Sequence, residues 1–84
     1  MISSAQLRAA RALTGWSQAQ AAEAAGISIP TVKRAEGSGA IRASEAAVAA
    51  LKAAYEAAEV VFIAENGGGA GVRLAKPRAG HEAS

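Results

Sequence analysis

The sequence predicts a mainly α-helical domain in which four helices are followed by a C-terminal β-hairpin. Alanine is the commonest of the 84 residues and large apolar side chains are few, which favours helices that pack closely through small contact faces. Serine and glycine recur where helices need to begin and end. After residue 59 the apolar residues become β-branched and aromatic, as in strands. A chain of this length has room for one compact domain.

Three serine-led segments predict short helices in the first half of the chain. A serine side chain can accept a hydrogen bond from a free amide of the first helical turn, and a glycine readily takes the left-handed conformation that ends a helix. The predicted caps are Ser3 or Ser4, Ser17 and Ser28. The predicted closing glycines are Gly15, Gly26 and, for the third helix, Gly37 and Gly39. The second helix also opens with the S-x-x-Q form of a capping box.

A fourth helix and a hairpin complete the predicted fold. The helix begins at Ala43 or Ser44 and ends near Ala58, because an apolar stripe recurs at spacings of three and four. The segments VVFI and GVRL then flank a glycine-rich turn, which is typical of a β-hairpin. We expect residues 1–58 to form the helical domain, 59–75 the hairpin and 76–84 a disordered tail.

The third helix carries a basic pair on its outward face. At about 100° per residue, Val32 and Ala35 form the inner face of this helix. Pro30, Lys33 and Arg34 lie opposite that face. The predicted helix therefore presents an apolar residue and two cations in the same outward direction.

An outward row that begins apolar and ends cationic suits a helix whose N-terminal end enters a DNA major groove. Ile29 and Pro30 can contact a thymine methyl group, Arg34 can reach guanine O6 and N7, and Lys33 a phosphate or a guanine. The same pattern is typical of an ordinary solvated face, and this helix alone favours neither interpretation. The segment Gly26-Ile27-Ser28 favours the first, because it is the short link of a helix-turn-helix.

The charges are distributed unevenly along the chain, although its formal net charge is only +2. Residues 1–44 carry five Lys and Arg side chains against two Glu, whereas the remainder carries four against five. A basic front half is the pattern expected of a protein that meets a polyanion on one side.

The segment GWSQAQAAEAAGISIPTVKRAEG resembles the XRE family, the Cro/phage-repressor type of helix-turn-helix transcriptional regulator. Members typically have S-Q at the start of helix 2, A then G around the turn, and E-G or E-x-G after helix 3. The resemblance covers residues 4 to about 58 and implies a lambda-repressor-like helix-turn-helix fold. It also implies binding to double-stranded DNA, usually as a homodimer. Ile29 and Pro30 depart from the pattern, since many members carry polar side chains there.

The resemblance assigns residues to the DNA interface. It implies that Gln18 contacts backbone phosphate and that the start of helix 3 approaches bases and phosphates. Together with the cations and helix N-termini, the predicted DNA-binding residues are Ser17, Gln18, Ser28, Ile29, Pro30, Thr31, Lys33, Arg34 and Arg42. Arg11 and Glu36 match family positions that often form an ion pair, which would brace helix 3.

The hairpin is more apolar than two isolated strands should be, because a lone hairpin is marginal in water. Either it folds back on helices 1 and 4, or it pairs with a second subunit; we favour dimerisation. The predicted dimer residues are Val60, Phe62, Ile63, Val72 and Leu74.

The segment FIAENGGGAGVRL also resembles the C-terminal extension of a small bacterial subgroup of the family, whose members commonly have glycine in place of Glu59 and proline in place of Ala70.

Two functions fit these observations. The first is a homodimeric repressor, cytoplasmic and bacterial, that reads an inverted repeat through the major groove with helix 3. The alternative is a protein-interaction module, antiactivator-like or antitoxin-like, that uses the same fold and the hairpin to bind a protein partner. The repressor is the leading hypothesis, and the alternative is motivated by the modest net charge and the apolar strands.

We expect neither enzyme activity nor a cofactor, metal ion or membrane partner. The glycine run at 67–71 lacks the following helix and the lysine of a phosphate-binding loop. His81 is the single histidine and there is no cysteine, so paired metal ligands are missing. No serine stands near a base and an orienting carboxylate. No apolar segment approaches the roughly 20 residues that span a bilayer.

Overall fold

The computed structural model describes residues 2–39, 41–65 and 67–75. It contains four helices and a two-stranded antiparallel sheet, which confirms the predicted fold class. The elements are α1 (Ser4–Thr14), α2 (Gln18–Ala25), α3 (Ile29–Ala35), α4 (Glu45–Ala57), β1 (Val60–Ile63) and β2 (Gly71–Leu74). None of the described helices is both long and apolar enough to cross a membrane. The predicted disordered tail lies outside the described residues.

Local capping explains where the helices begin and end. The four N-cap residues are Ser3, Ser17, Ser28 and Ser44, and each side chain accepts from the amide three residues later. Both α1 and α2 have reciprocal capping boxes, formed with Gln6 and Gln20. Gly15 and Gly26 end these helices at φ of 73° and 71°, the left-handed region that glycine tolerates.

Tyr55 is the largest fully buried side chain of the core. Its ring stacks on Trp16 at a centroid distance of 5.2 Å and meets the edge of Phe62 at 6.4 Å. Around it the helices contribute mostly alanine and a few branched residues, so their backbones can approach closely. The other buried members of this cluster are Leu7, Ala10, Ala21, Ala22, Val32, Ala35, Leu51 and Val60.

The hairpin packs on its own chain through one face. Val60 pairs with Leu74 and Phe62 with Val72, and these four side chains pack on the core, where β1 contacts α4 and β2 contacts α1. Of the two arrangements that the sequence left open, the structure therefore shows folding back on helices 1 and 4. Val60 is 2% exposed and has no surface left for a partner. Dimerisation stays a prediction, and Ile63 alone among the five predicted contacts is exposed.

Gln6 ties the hairpin to the first helix. Its side-chain amide donates to the carbonyl oxygens of Ile63 and Gly71, at 3.2 and 3.1 Å. Its oxygen meanwhile accepts from the backbone amide of Ser3 at 2.9 Å. The side chain is 6% exposed, and it uses both donors and its acceptor in fixing β1 and β2 against α1.

Glu59 turns the chain from α4 into β1 with a left-handed backbone. Its φ is 73°, and it is the only residue other than glycine with positive φ in the described ranges. This conformation costs a residue with a Cβ about 1 kcal/mol. The exit from α4 therefore uses a left-handed residue, a conformation that glycine would adopt without this cost.

Candidate nucleic-acid interface

The helix-turn-helix is built by α2, a three-residue link and α3. Gly26 ends α2, and the amide of Ile27 donates to the carbonyl of Ala22 at 3.0 Å. The Ile27 side chain packs against the core. Ser28 then caps α3, where Pro30 stands in a first turn that needs no amide donor. These local features fix the position at which α3 leaves the link.

The inner face of α3 is anchored in the core and its outer face is open. Val32 is 0% and Ala35 7% exposed, whereas Pro30, Lys33 and Arg34 are all exposed. The structure therefore orients this helix as its periodicity predicts. Ile29 is 40% exposed, and Thr31 is half-buried with its hydroxyl 2.7 Å from that of Ser28.

Three cations surround the C-terminal half of α3. Lys33 and Arg34 occupy its last turn, where the helix dipole favours positive charge. Arg42 follows in the segment before α4 and, with Arg34, lines the same open groove. Within the part of the chain that the structure describes, none of the three side chains forms an ion pair. All three charges are therefore available to a polyanion.

A buried carboxylate holds the end of α3 against α1 and α2. Glu36 receives a two-point contact from Arg11: Nε to Oε2 is 2.7 Å and Nη2 to Oε1 is 3.1 Å. The Gln18 amide also donates to Oε1, at 3.1 Å. The Glu36 side chain is 5% and that of Arg11 28% exposed. This hydrogen-bonded contact with Glu36, more than its electrostatic attraction, raises the pKa of Arg11.

Arg8 is a residue of this network that the sequence analysis missed. Its Nη1 donates to the backbone carbonyl of Glu36 at 2.6 Å, so two arginines of α1 hold one residue at the end of α3. The carbonyls of a last helical turn lack intrahelical donors, and Arg8 supplies one. The only sequence signal was the spacing of Arg8 and Arg11 by three, which places two cations on one helix face.

The polar residues predicted to contact DNA are also helix-capping or bracing groups. The hydroxyls of Ser17 and Ser28 accept from backbone amides within α2 and α3. The side-chain amide of Gln18 donates one hydrogen to Glu36, and its second hydrogen can be donated to a phosphate. Their roles at DNA stay predictions, since the same side chains can serve both purposes.

No metal centre competes with this surface in the described ranges, where no three His, Cys, Asp or Glu side chains are grouped as metal ligands would be. The outer face of α3 is exposed and basic, and the contacts of Glu36 hold this helix in place within the helix-turn-helix. Such a surface can contact an extended anion.

Comparison with known proteins agrees with this architecture. The family model of a helix-turn-helix domain matches residues 4–62, more than half of the chain. No curated protein matches the sequence. The matched range begins at α1 and ends inside β1, so it contains α2, α3 and the link between them. The chain therefore belongs to the helix-turn-helix family of the XRE type.

Proposed function

We propose that this protein is a transcriptional regulator that binds double-stranded DNA in a sequence-specific manner, as a homodimeric repressor. The helix-turn-helix domain indicates a DNA-binding regulator in general terms. The finer statement rests on the outer face of α3, where exposed apolar residues lead into two exposed cations, Lys33 and Arg34. In this proposal the protein acts in the cytoplasm and catalyses no reaction.

The apolar end and the cationic end of α3 have different roles. Ile29 and Pro30, in the first turn, contact thymine methyl groups in the major groove. Arg34, one turn later, makes a two-point contact with guanine and contributes about 1 to 3 kcal/mol of discrimination against other bases. Lys33 and Arg42 contact phosphates, which position the protein without reading sequence.

The proposed DNA site is an inverted repeat. A helix-turn-helix domain presents one recognition helix, and two such helices related by a twofold axis meet successive major grooves about 34 Å apart. We therefore expect half-sites centred about one helical turn apart.

A binding titration against selected DNA tests the proposal. The operator is first isolated from a random duplex library with the full chain, and affinity is then measured at several salt concentrations for the operator and for scrambled duplex. Arg34→Ala should weaken operator binding and flatten the base preference. Lys33→Ala should weaken binding to both duplexes and lower the salt slope by about one.

Lys52→Ala is the matched control. Lys52 lies on α4, where it pairs with Glu56, and its loss changes the net charge as Lys33→Ala does. It should leave the affinity for both duplexes, the salt slope and the operator preference unchanged. If Arg34→Ala kept the full base preference, the proposed readout would be wrong. Weak, salt-labile binding without any selected sequence would favour the protein-interaction module instead.

A further inference from the structure

An open groove lies beside the recognition helix. It has a volume of about 550 Å³, within the roughly 300–1,000 Å³ of small-molecule sites. The start of α1, the end of α3, the segment before α4 and the first turns of α4 form its walls. We call this space the basic groove, defined by Leu7, Arg34, Ile41, Arg42 and Val48 among its lining residues.

The lining of the basic groove combines positive charge with apolar walls. Among the described residues, Arg34 and Arg42 are the charged ones that line it, and both are exposed. Leu7 is buried and Val48 half-buried. Ile41, at 70% exposure, is the most exposed large apolar side chain in the described ranges. No carboxylate lines the groove in those ranges, so its charge complements an anion.

The apolar walls distinguish this groove from a simple phosphate contact. A DNA phosphate would pair with Arg34 or Arg42 but would leave the groove between Leu7, Ile41 and Val48 empty. Exposed apolar surface costs roughly 25 cal/mol per Å² of contact with water, so an occupant that also covers Ile41 gains more than a bare anion does. The combination is that of sites where a few polar groups orient a mostly apolar ligand.

We infer that the basic groove is a binding site for a small amphipathic anion, namely a carboxylate with an aliphatic tail. The carboxylate pairs with Arg42 and Arg34, and the tail lies between Ile41 and Val48, over the buried Leu7 at the base of the groove. Arg34 is also the proposed base-reading residue, so a bound anion removes it from DNA. This regulatory consequence rests on the proposed function, whereas binding of the anion does not.

Titration of the full chain with octanoate tests the site, with acetate and octanol as matched probes that lack the tail or the charge. Isotope-labelled protein is followed by NMR. Octanoate should shift the amide signals of residues 41–43 and of the end of α3. Acetate and octanol should each bind at least about tenfold more weakly than octanoate. Acetate lacks the tail that contacts the apolar walls, and octanol lacks the carboxylate that pairs with the arginines.

Two pairs of variants check the assignment. Arg42→Gln should weaken octanoate binding about tenfold, whereas Arg73→Gln, at an exposed arginine on β2, should leave it unchanged. Ile41→Ser should weaken it about threefold or more, and Ile63→Ser, at an exposed isoleucine of the hairpin, should have no effect. The four side chains are exposed, so the fold should survive; thermal unfolding of each variant verifies this.

Three results would overturn the inference. Octanol binding as tightly as octanoate would show that charge is irrelevant, and acetate binding as tightly would make the groove a plain anion contact for the DNA backbone. Absence of shifts in the groove would remove the site altogether. In a separate DNA-binding experiment, octanoate should lower the affinity of the protein for the selected operator. If no operator can be selected, the proposed function is wrong, but the NMR titration still tests whether the groove binds octanoate.

Discussion

At the scale of single residues, the contact between Arg11 and Glu36 is the main polar link between α1 and the end of α3. Glu36 is a carboxylate with 5% side-chain exposure, and it accepts from both Arg11 and Gln18. Removing one partner of a fully buried pair costs about 3 to 5 kcal/mol, and an exposed pair contributes below about 1. Arg11 is 28% exposed, so this pair lies between the two limits.

A double-mutant cycle should show this intermediate strength. We expect Arg11→Met and Glu36→Gln to be coupled by about 2 kcal/mol in the free energy of unfolding, measured by urea denaturation. The control cycle is Lys52→Met with Glu56→Gln, an exposed pair on α4 with 45% and 48% side-chain exposure. Its coupling should stay below about 0.5 kcal/mol. Equal couplings in the two cycles would contradict the bracing role of Glu36.

Ionisation of Tyr55 makes the free energy of unfolding depend on pH in the alkaline range. Burial chiefly, with the nearby charge of Glu36, raises the pKa of Tyr55 to about 12 from its ordinary value of 10. The unfolded chain loses the phenol proton near pH 10, whereas the folded chain keeps it until about pH 12. Its contribution to stability is therefore complete below about pH 10 and declines as the pH rises towards 12.

Comparison with Tyr55→Phe isolates this effect. At about pH 8 the variant should differ by less than about 1 kcal/mol, because the buried hydroxyl has no hydrogen-bond partner among the described residues. Above pH 10 the wild type should lose up to about 3 kcal/mol relative to the variant. Urea unfolding across this range measures the difference, which would be absent if the phenol titrated normally. Tyr55 is the only tyrosine, so its absorbance reports the pKa directly.

At the scale of elements, the hairpin depends on α1 for its position. The Gln6 amide donates to two hairpin carbonyls, one from each strand. A two-stranded hairpin alone is marginal in water, and here its inner face also covers the core. Gln6 therefore determines where β1 and β2 sit as well as where α1 begins.

Substitution of Gln6 should loosen the hairpin while leaving the caps intact. Gln6→Glu keeps the acceptor for the Ser3 amide but replaces the donor by an oxygen that faces two carbonyls. We expect a loss of about 2 kcal/mol or more in stability, with faster hydrogen exchange in β1 and β2. Gln20→Glu, at the equivalent position of the α2 capping box, should change stability by less than about 0.5 kcal/mol. Similar losses of stability in both variants would contradict the role of Gln6 in holding the hairpin against α1.

The elements themselves were predictable because their signals are local. Four serine caps and two left-handed glycines mark helix boundaries within a few residues of sequence, and the change to β-branched residues marks β1. The partners of Gln6 were not predictable. They lie 57 and 65 positions away, and only the docking of the hairpin brings them within reach of its side chain.

At the scale of the whole molecule, the outstanding prediction is the homodimer. The inner face of the hairpin is occupied by its own core, so a partner would meet the outer face. Val61 and Ile63 lie on that outer face, and Ile63, 39% exposed, is the more exposed of the two. Ile63 lies opposite Gly71 across the hairpin, and a glycine has no side chain that could cover it.

Ile63→Glu should separate assembly from folding. Because the side chain is already partly in water, the variant should keep the thermal stability of the monomer within about 1 kcal/mol, yet shift the sedimentation equilibrium from dimer to monomer. Ala53→Glu, which adds the same charge at an exposed position of α4, serves as the control and should leave the dimer intact. A wild-type protein that remains monomeric at high concentration, with and without operator, would exclude this dimer surface.

The sequence by itself determined the helix boundaries, the hairpin and the outward direction of Lys33 and Arg34, because caps, turns and helical periodicity act over a few residues. It also pointed to the pairing of Arg11 with Glu36 through the family resemblance. The caps, turns and helical periodicity require no knowledge of how the elements are arranged in space, whereas the Arg11–Glu36 pair came from the resemblance alone.

Only the tertiary structure decided which face of the hairpin is buried, which carbonyls Gln6 binds and how Arg8 reaches the end of α3. It also brought Arg34, Ile41, Arg42 and Val48 around one groove. The physical reason is that these contacts join different elements, and those of Gln6 and Arg8 join segments far apart in the chain. Their geometry follows from close packing of small side chains around Tyr55, which no local pattern encodes.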